Sequence, residues 1–410
     1  MTTFIQLHML TFYPPSNLNR DELGRPKTAV VGGSTRLRIS SQSLKRAWRT
    51  ADIFERAMDG NMGIRTKEIG IQIKASLRFC IALSELIRKK ESLFGVPETS
   101  ISDEDATRWA AKIASIFVDK KKGVSTGEGD LIENADGNET EDDSGKKGSR
   151  GRGKKAKSNI NSDLRSEQLV FYSWSEIAEI EKVVEQIKIG KKPSDEEVAS
   201  LLCVAASAGH SPDVAMFGRM LANAPKQNVE AAVQVAHAFT VHEVAVEEDY
   251  FTAVDDLNKG DEDRGAAHLG ETEFGSGLFY GYICVNRDLL AKNLNGDEAL
   301  ARKALRSLVE TGAQVAPRGK QNSFASHAKA HYILSEKGSQ QPRSLALAFA
   351  DGIPMRNGKG DRILENAKGA LEDKRKKMDA VYGACADAHR IMDLETGEGT
   401  LNALLDFITE

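Results

Sequence analysis

The chain contains little cysteine, the residue that cross-links secreted domains through disulfide bonds and binds zinc in structural sites. Its 410 residues include four cysteines, Cys80, Cys203, Cys284 and Cys385, and these are far apart and form no CxxC pair. A disulfide framework or a zinc site is therefore not expected, and we predict reduced thiols.

Long apolar runs are also missing. No uninterrupted apolar stretch approaches the roughly 20 residues that a membrane-spanning helix requires. The first ten residues, MTTFIQLHML, lack the basic start of a signal peptide. We predict a cytoplasmic protein with no membrane partner.

Motifs for nucleotide or metal chemistry are absent from the sequence. It contains no Walker GxxxxGK[ST], no GxGxxG and no HExxH pattern. His327 and His331 are four residues apart, but their segment alternates like a strand, so the pair makes no ligand face. From these absences we predict no bound metal and no cofactor.

A strongly basic stretch stands out against this background. The segment from Asn19 to Arg49 holds eight basic and two acidic residues, a local excess of six positive charges in a chain of formal net charge −4. Such a local excess in an acidic protein indicates a surface that meets a polyanion.

The pattern inside this stretch predicts a strand followed by a helix. Alternation places Arg36, Arg38 and Ser40 on one side of the strand and Leu37 and Ile39 on the other. Ser40 or Ser41 can cap the helix. Its outer stripe is Gln42, Lys45 and Arg49, and its inner residues are Leu44 and Trp48. A phosphate-binding corner and a solvated cationic face both remain open on this evidence.

Three segments resemble one known family. The run LNRDELGRPKTAVVGGSTRLRISSQSLKRA resembles the N-terminal signature of the CasC backbone subunit of the type I-E CRISPR Cascade complex, and FTAVDDL with AHLG and DVAMFGRML resemble it further along the chain. Alternation of Ile5, Leu7 and Met9 with Gln6 and His8 predicts a first strand with one buried face, which Pro14 and Pro15 would end. The segment from Val229 to Val244 predicts one long strand, and the segment from Asp361 to Met392 predicts a helix. These interleaved strands and helices predict an α+β protein. The resemblance implies a ferredoxin-like, RNA-recognition-type palm with a helical finger insertion and a projecting thumb hairpin.

The resemblance also implies a domain organisation. The expected parts are a first part of the palm at 1–65, a helical finger region at 66–225, a palm strand at 226–249, a thumb hairpin at 250–277, and the second part of the palm with C-terminal helices at 278–410. Within the finger region, residues 120–158 carry eight acidic and ten basic residues and almost nothing that could pack. That composition predicts a disordered insertion.

The resemblance implies a non-catalytic function, with no catalytic residue. Many copies would bind a CRISPR guide RNA (crRNA) side by side, together with other Cascade subunits, and present guide bases to target DNA in antiviral defence. The implied RNA-binding residues are Arg20, Lys27, Arg38, Ser40, Gln42, Lys45, Arg46 and Arg49 on the palm, Met220 after Gly218, which permits close approach, and Phe251, Thr252 and Val254 on the thumb. Lys182, Lys188, Lys191 and Lys192 form a second basic cluster, in a region where the family has lysines that contact target DNA. A plain exposed helix is the preferred interpretation of this cluster.

Two other functions stay open from the sequence. Asp255 and Asp256 could hold magnesium in a ribonuclease that cuts target RNA, as backbone subunits of type III complexes do. A monomeric regulator that binds one short RNA is the second alternative. It would bind with fixed stoichiometry instead of assembling in proportion to RNA length.

Overall fold

The structure is a computed structural model that describes residues 2–89, 95–116, 164–166, 168–194, 196–198, 209–221, 225–253, 268–354 and 363–410. Its strands are β1 (Phe4–Ser16), β2 (Thr28–Val31), β3 (Ser34–Ile39), β4 (Ile64–Thr66), β5 (Val170–Tyr172), β6 (Val233–Val235), β7 (Ala238–Thr240), β8 (Glu247–Ala253), β9 (His268–Asn286), β10 (Tyr332–Gly338) and β11 (Ala388–Asp393). The insertion predicted at 120–158 lies outside the described residues.

Helices alternate with these strands along the chain. They are α1 (Ser41–Arg49), α2 (Asp52–Met58), α3 (Ile69–Arg78), α4 (Leu83–Lys89), α5 (Asp103–Ser115), α6 (Trp174–Lys188), α7 (Pro212–Phe217), α8 (Arg287–Asn293), α9 (Glu298–Gln314), α10 (Gln321–Phe324), α11 (Ile363–Tyr382) and α12 (Leu401–Thr409). Within the described ranges, none of the helices combines the length and the apolar character needed to cross a membrane.

A sheet of antiparallel strands forms the centre of the molecule. The order is β11-β10-β1-β9-β7-β3-β2, and the long strand β9 also pairs with β6 and β8 at different points along its length. The short strands β4 and β5 pair separately. The predicted mixture of helices with a sheet is confirmed, and the sheet is antiparallel.

The larger core lies on one face of this sheet. Ile5, Leu7 and Met9 of β1 face it, and α1, α2, α9 and α12 cover it with residues that include Trp48 and Leu308. The alternation of apolar residues in β1 therefore predicted this face correctly.

The opposite face of β1 is covered as well, which the alternation did not predict. Gln6 and His8 are buried there, and His8 contacts the hydroxyl of Tyr280 at 2.9 Å and Glu336 at 3.3 Å. A further apolar cluster on this side includes Leu371 of α11. The expectation of one buried face was wrong, because α11 packs over the polar side of the strand.

A second core belongs to the helical region between β4 and α7. It gathers Ile73 of α3, Ala110 of α5 and Val183 of α6 with Val170 of β5. These helices bury their apolar stripes against one another, so this region has a core separate from that of the sheet.

Several predicted element boundaries were wrong. β1 continues through Pro14 and Pro15 to Ser16, with a bulge against β9 that accommodates the prolines. The segment from Val229 to Val244 is not one long strand, because the strand is interrupted between Val235, where β6 ends, and Ala238, where β7 begins. The helix predicted from Asp361 to Met392 ends at Tyr382, and β11 follows.

Arg36 is a further correction. The alternation placed it on the cationic face, but its side chain is fully buried, and its Nη1 donates to the carbonyl of Thr240 at 3.3 Å. Burial lowers the pKa of Arg36. The face of β3 that was predicted to meet solvent is covered at Arg36, where the backbone of Gly352 lies against the guanidinium.

Candidate nucleic-acid interface

The candidate interface is organised along α1. Ser40 caps this helix as predicted: its Oγ accepts from the backbone N–H of Ser43 at 3.3 Å, and its own N–H donates to Asn19 Oδ1 at 2.8 Å. Leu44 and Trp48 are buried against the sheet, which confirms the predicted inner face. Gln42 and Arg46 are exposed on the opposite side, so α1 presents a polar, basic outer face.

Three nitrogen-bearing side chains cluster near the start of α1. Arg38 Nη1 lies 2.6 Å from His237 Nδ1, and the backbone N–H of Arg38 donates to the carbonyl of Lys27 at 2.8 Å. Burial lowers the pKa of His237, and the charges of Arg38 and Lys27 lower it further. We name Lys27, Arg38 and His237 the first basic cluster; it provides donors for an anion. His237 was missed from the sequence, where it was read as part of a strand.

The last turns of α1 meet α7 and β5. Lys45 Nζ lies 5.8 Å from the centre of the Phe217 ring, and burial lowers the pKa of Lys45. Lys45 therefore stands partly withdrawn from solvent, with its ammonium group on an aromatic face.

Arg49 contacts a carboxylate of the same chain, which the sequence did not predict. Its Nη1 lies 3.5 Å from Asp213 Oδ2, and its side chain is 20% exposed. Asp213 is buried and accepts from the backbone N–H of Gly63 at 2.7 Å, and burial raises the pKa of this carboxyl group. A carboxylate of the same chain therefore faces one side of the Arg49 guanidinium, and contact of Arg49 with RNA phosphate stays a prediction.

Met220 is 84% exposed, and its neighbour Arg219 fixes it in place. Arg219 forms a bidentate pair with Glu176 at 2.8 and 2.9 Å, and its Nη1 also donates to the carbonyl of Phe171 at 2.7 Å. The close approach at Gly218 is made by the chain itself: its φ is 76°, and a Cβ there would lie 2.8 Å from the carbonyl oxygen of Val229. The exposed Met220 therefore directly follows an arginine that is held in a buried ion pair.

A basic cleft of about 990 Å³ adjoins the end of α1. Its cationic lining residues are Arg20, Arg56, Arg318 and Lys320, with Asp52 as an acidic member. Arg318 Nη2 donates to the carbonyl of Thr50 at 3.0 Å, just after α1, and Lys320 Nζ donates to Thr272 Oγ1 of β9 at 3.2 Å. Only Arg20 was predicted. The basic run of PRGK at 317–320 was the available sequence signal for two of the others.

Strands β8 and β9 pair as a hairpin around the predicted thumb. Phe251 is 43% exposed and lies opposite Gly270, whose missing side chain leaves room for its ring. Thr252 lies on β8, whereas Val254 and the aspartates Asp255 and Asp256 lie outside the described residues. Among the residues that the structure describes, no group of three or more histidine, cysteine, aspartate or glutamate side chains could hold a metal ion.

The second basic cluster of the sequence divides into two kinds of lysine. Lys182 pairs with Glu179 at 2.6 Å, and Lys188 donates to Glu185 at 2.7 Å and to the carbonyl of Ile81 at 3.0 Å. Lys191 and Lys192 are exposed after the end of α6. Lys188 therefore serves the packing of the helical region.

A family model and solved structures match nearly the whole chain. The model of the Cas_CT1975 family, described as CT1975-like protein, matches residues 5–405. The chain belongs to this Cas family. It is also similar to a chain of a solved "CRISPR RNA-guided surveillance complex, pre-nicking", with a TM-score of 0.70 and 27% identity, covering 99% of each chain.

A second solved structure is similar in fold. It is a chain of a "CRISPR RNA-guided surveillance complex" with a TM-score of 0.53 and 23% identity, covering 99% of this chain and 98% of that chain. No curated protein sequence matches this chain.

Proposed function

We propose that this protein is a non-catalytic subunit of a type I-E CRISPR surveillance complex, where copies line up along the guide RNA and form its helical backbone. The observation that carries the proposal is α1, a capped helix with a basic outer face, which lies between the first basic cluster and Met220. The similarity over 99% of a chain from an RNA-guided surveillance complex supports the same function.

In this proposal the central sheet is the ferredoxin-like, RNA-recognition-type palm, the helical region is the finger, and the β8–β9 hairpin is the thumb. The hairpin offers Tyr250 and Phe251, which are 60% and 43% exposed, as apolar groups that can enter between bases. Unstacking a base step costs a few kcal/mol, which contact with the inserted side chain offsets.

The RNA backbone would follow the positive surface. Its path runs from Lys27 and Arg38, along Lys45 and Arg46, and toward the basic cleft that Arg20 lines. Phosphates are alike at every nucleotide, so these contacts bind any guide sequence and fix its register. Recognition of target DNA is then left to base pairing with the guide.

The test neutralises two adjacent charges on α1. We expect Lys45→Gln with Arg46→Gln to weaken RNA binding and to make the dependence of log K on log salt shallower by about 1.4, since each lost phosphate contact on a single strand contributes about 0.7. Arg49 is left unchanged because it contacts Asp213. Fluorescence anisotropy of labelled RNA across a salt series measures the slope.

The matched control is Arg302→Gln with Lys303→Gln, which removes two exposed charges from α9. Its salt slope should stay within about 0.3 of wild type if only the α1 surface binds phosphate. An identical slope in both double variants would contradict the proposal.

Assembly and catalysis need a separate measurement. The number of copies bound should rise in proportion to RNA length, as read by light scattering, whereas a monomeric regulator would bind a fixed number. Magnesium-dependent cleavage of a complementary RNA that is lost in Asp255→Ala or Asp256→Ala, with guide binding retained, would favour the ribonuclease instead.

A further inference from the structure

An aromatic ring with two arginines lies beside the interface and was not predicted from the sequence. Phe171 of β5 is the cross-strand partner of Arg65 of β4, so their side chains share a face. The guanidinium carbon of Arg65 lies 5.2 Å from the centre of the Phe171 ring, and that of Arg49, which comes from α1, lies 5.1 Å from it.

The surroundings of this ring connect it to Met220. Arg219 donates to the carbonyl of Phe171 at 2.7 Å, and the exposed Met220 is the next residue of the chain. Phe171 is half-buried and Arg65 is exposed, so the group opens to solvent where the helical region meets α1.

The guanidinium groups of Arg65 and Arg49 converge on one ring and concentrate positive charge there. A phosphate near both groups would be attracted by this charge and could accept hydrogen bonds from them. Aromatic rings and guanidinium planes are also the surfaces on which proteins stack unpaired bases. The combined chemistry suits a nucleotide better than a simple anion.

We propose that Phe171, Arg65 and Arg49 form a stacking site for one base of the bound single-stranded RNA, with the adjacent phosphate beside the two guanidinium groups. Met220 then contacts the next base. This inference rests on the proposed function and extends it, because it assigns a base contact to the helical region in addition to the phosphate contacts of α1.

The experiment separates base contacts from phosphate contacts by using an RNA and an abasic RNA of the same length. The phosphate-binding face of α1 serves both, whereas a stacking site favours the RNA that has bases. Anisotropy titrations of the full chain give the ratio of the two affinities. We expect Phe171→Leu to lower this ratio about 5-fold or more, as loss of one stacked base predicts.

Arg65→Lys is the second variant, because it keeps the charge and removes the planar group that stacks. It should lower the ratio while leaving the salt slope unchanged, and since Arg65 is exposed it should fold normally. Phe12→Leu, at a phenylalanine that is 43% exposed and lies on β1, is the control and should leave the ratio unchanged.

The outcomes are distinct. If the ratio of RNA affinity to abasic-RNA affinity stays at the wild-type value in both Phe171→Leu and Arg65→Lys, the stacking site is overturned. The aromatic group would then only pack β5 against α1. If Phe171→Leu unfolds, Arg65→Lys alone decides. A wild-type chain that binds neither RNA would overturn the proposed function, and the stacking site with it.

Discussion

The buried ion pair between Arg219 and Glu176 predicts a large loss of folding stability when one of its two charges is removed. The side chains are 2% and 0% exposed and are joined by two hydrogen bonds of 2.8 and 2.9 Å. Glu176 Oε2 also accepts from the backbone N–H of Ser173 at 2.8 Å, which completes the cap of α6. The variant Glu176→Gln keeps the shape of the side chain and removes its charge.

The magnitude follows from what remains after the change. Arg219 would stay charged and buried, and an amide N–H₂ group would face its donors in place of one carboxylate oxygen. Breaking a buried pair by removing one partner typically costs about 3–5 kcal/mol. We expect the free energy of unfolding to fall by that amount, and the conformation that presents Met220 to loosen with it.

Chemical denaturation followed by circular dichroism measures the loss. Asp406→Asn is the control, because Arg306 and Asp406 form a 2.6 Å pair whose side chains are 39% and 62% exposed, and such surface pairs contribute about 1 kcal/mol or less. Replacing Glu176 and Arg219 together by leucine and methionine should cost less than Glu176→Gln alone. A loss below about 1 kcal/mol for Glu176→Gln would refute the reasoning.

Two further predictions concern a buried histidine and a glycine. Burial lowers the pKa of His8 in the folded chain below its ordinary value of 6.5, so the unfolded chain binds the proton more readily. The free energy of unfolding should therefore fall as pH drops below that value, and His8→Gln should flatten the dependence in pH-series denaturation; an unchanged slope would contradict this. Gly218→Ala should cost about 1 kcal/mol or more beyond Gly33→Ala, because both have positive φ but only Gly218 has a carbonyl oxygen within 2.8 Å of the added Cβ. Equal losses in thermal unfolding would show that the clash is relieved without cost.

Local patterns in the sequence were sufficient for the elements whose determinants are neighbours along the chain. α1 was predicted because its cap at Ser40 and its inner residues Leu44 and Trp48 are set by residues within one or two turns. The basic excess around it was visible for the same reason. The resemblance to a Cascade subunit also rested on contiguous runs, and the family match supports it at the level of a Cas family.

The predicted strand boundaries were wrong where pairing partners distant in sequence determine them. β1 continues past its prolines because β9 pairs with it on the far side of a bulge, and no local signal reveals that partner. The alternation from Val229 to Val244 indicated one strand. In the structure β6 and β7 pair with different positions of β9, and the strand is interrupted between them.

The sequence by itself determined that this protein carries a capped, basic helix on an α+β fold, because charge, capping and helical periodicity are short-range properties. Only the tertiary structure decided which of those charges face solvent. It buried Arg36, set Arg49 against Asp213, and brought Arg56 and Arg318 into one cleft. Burial and charge pairing depend on residues hundreds of positions apart, and their proximity exists only once the chain has folded.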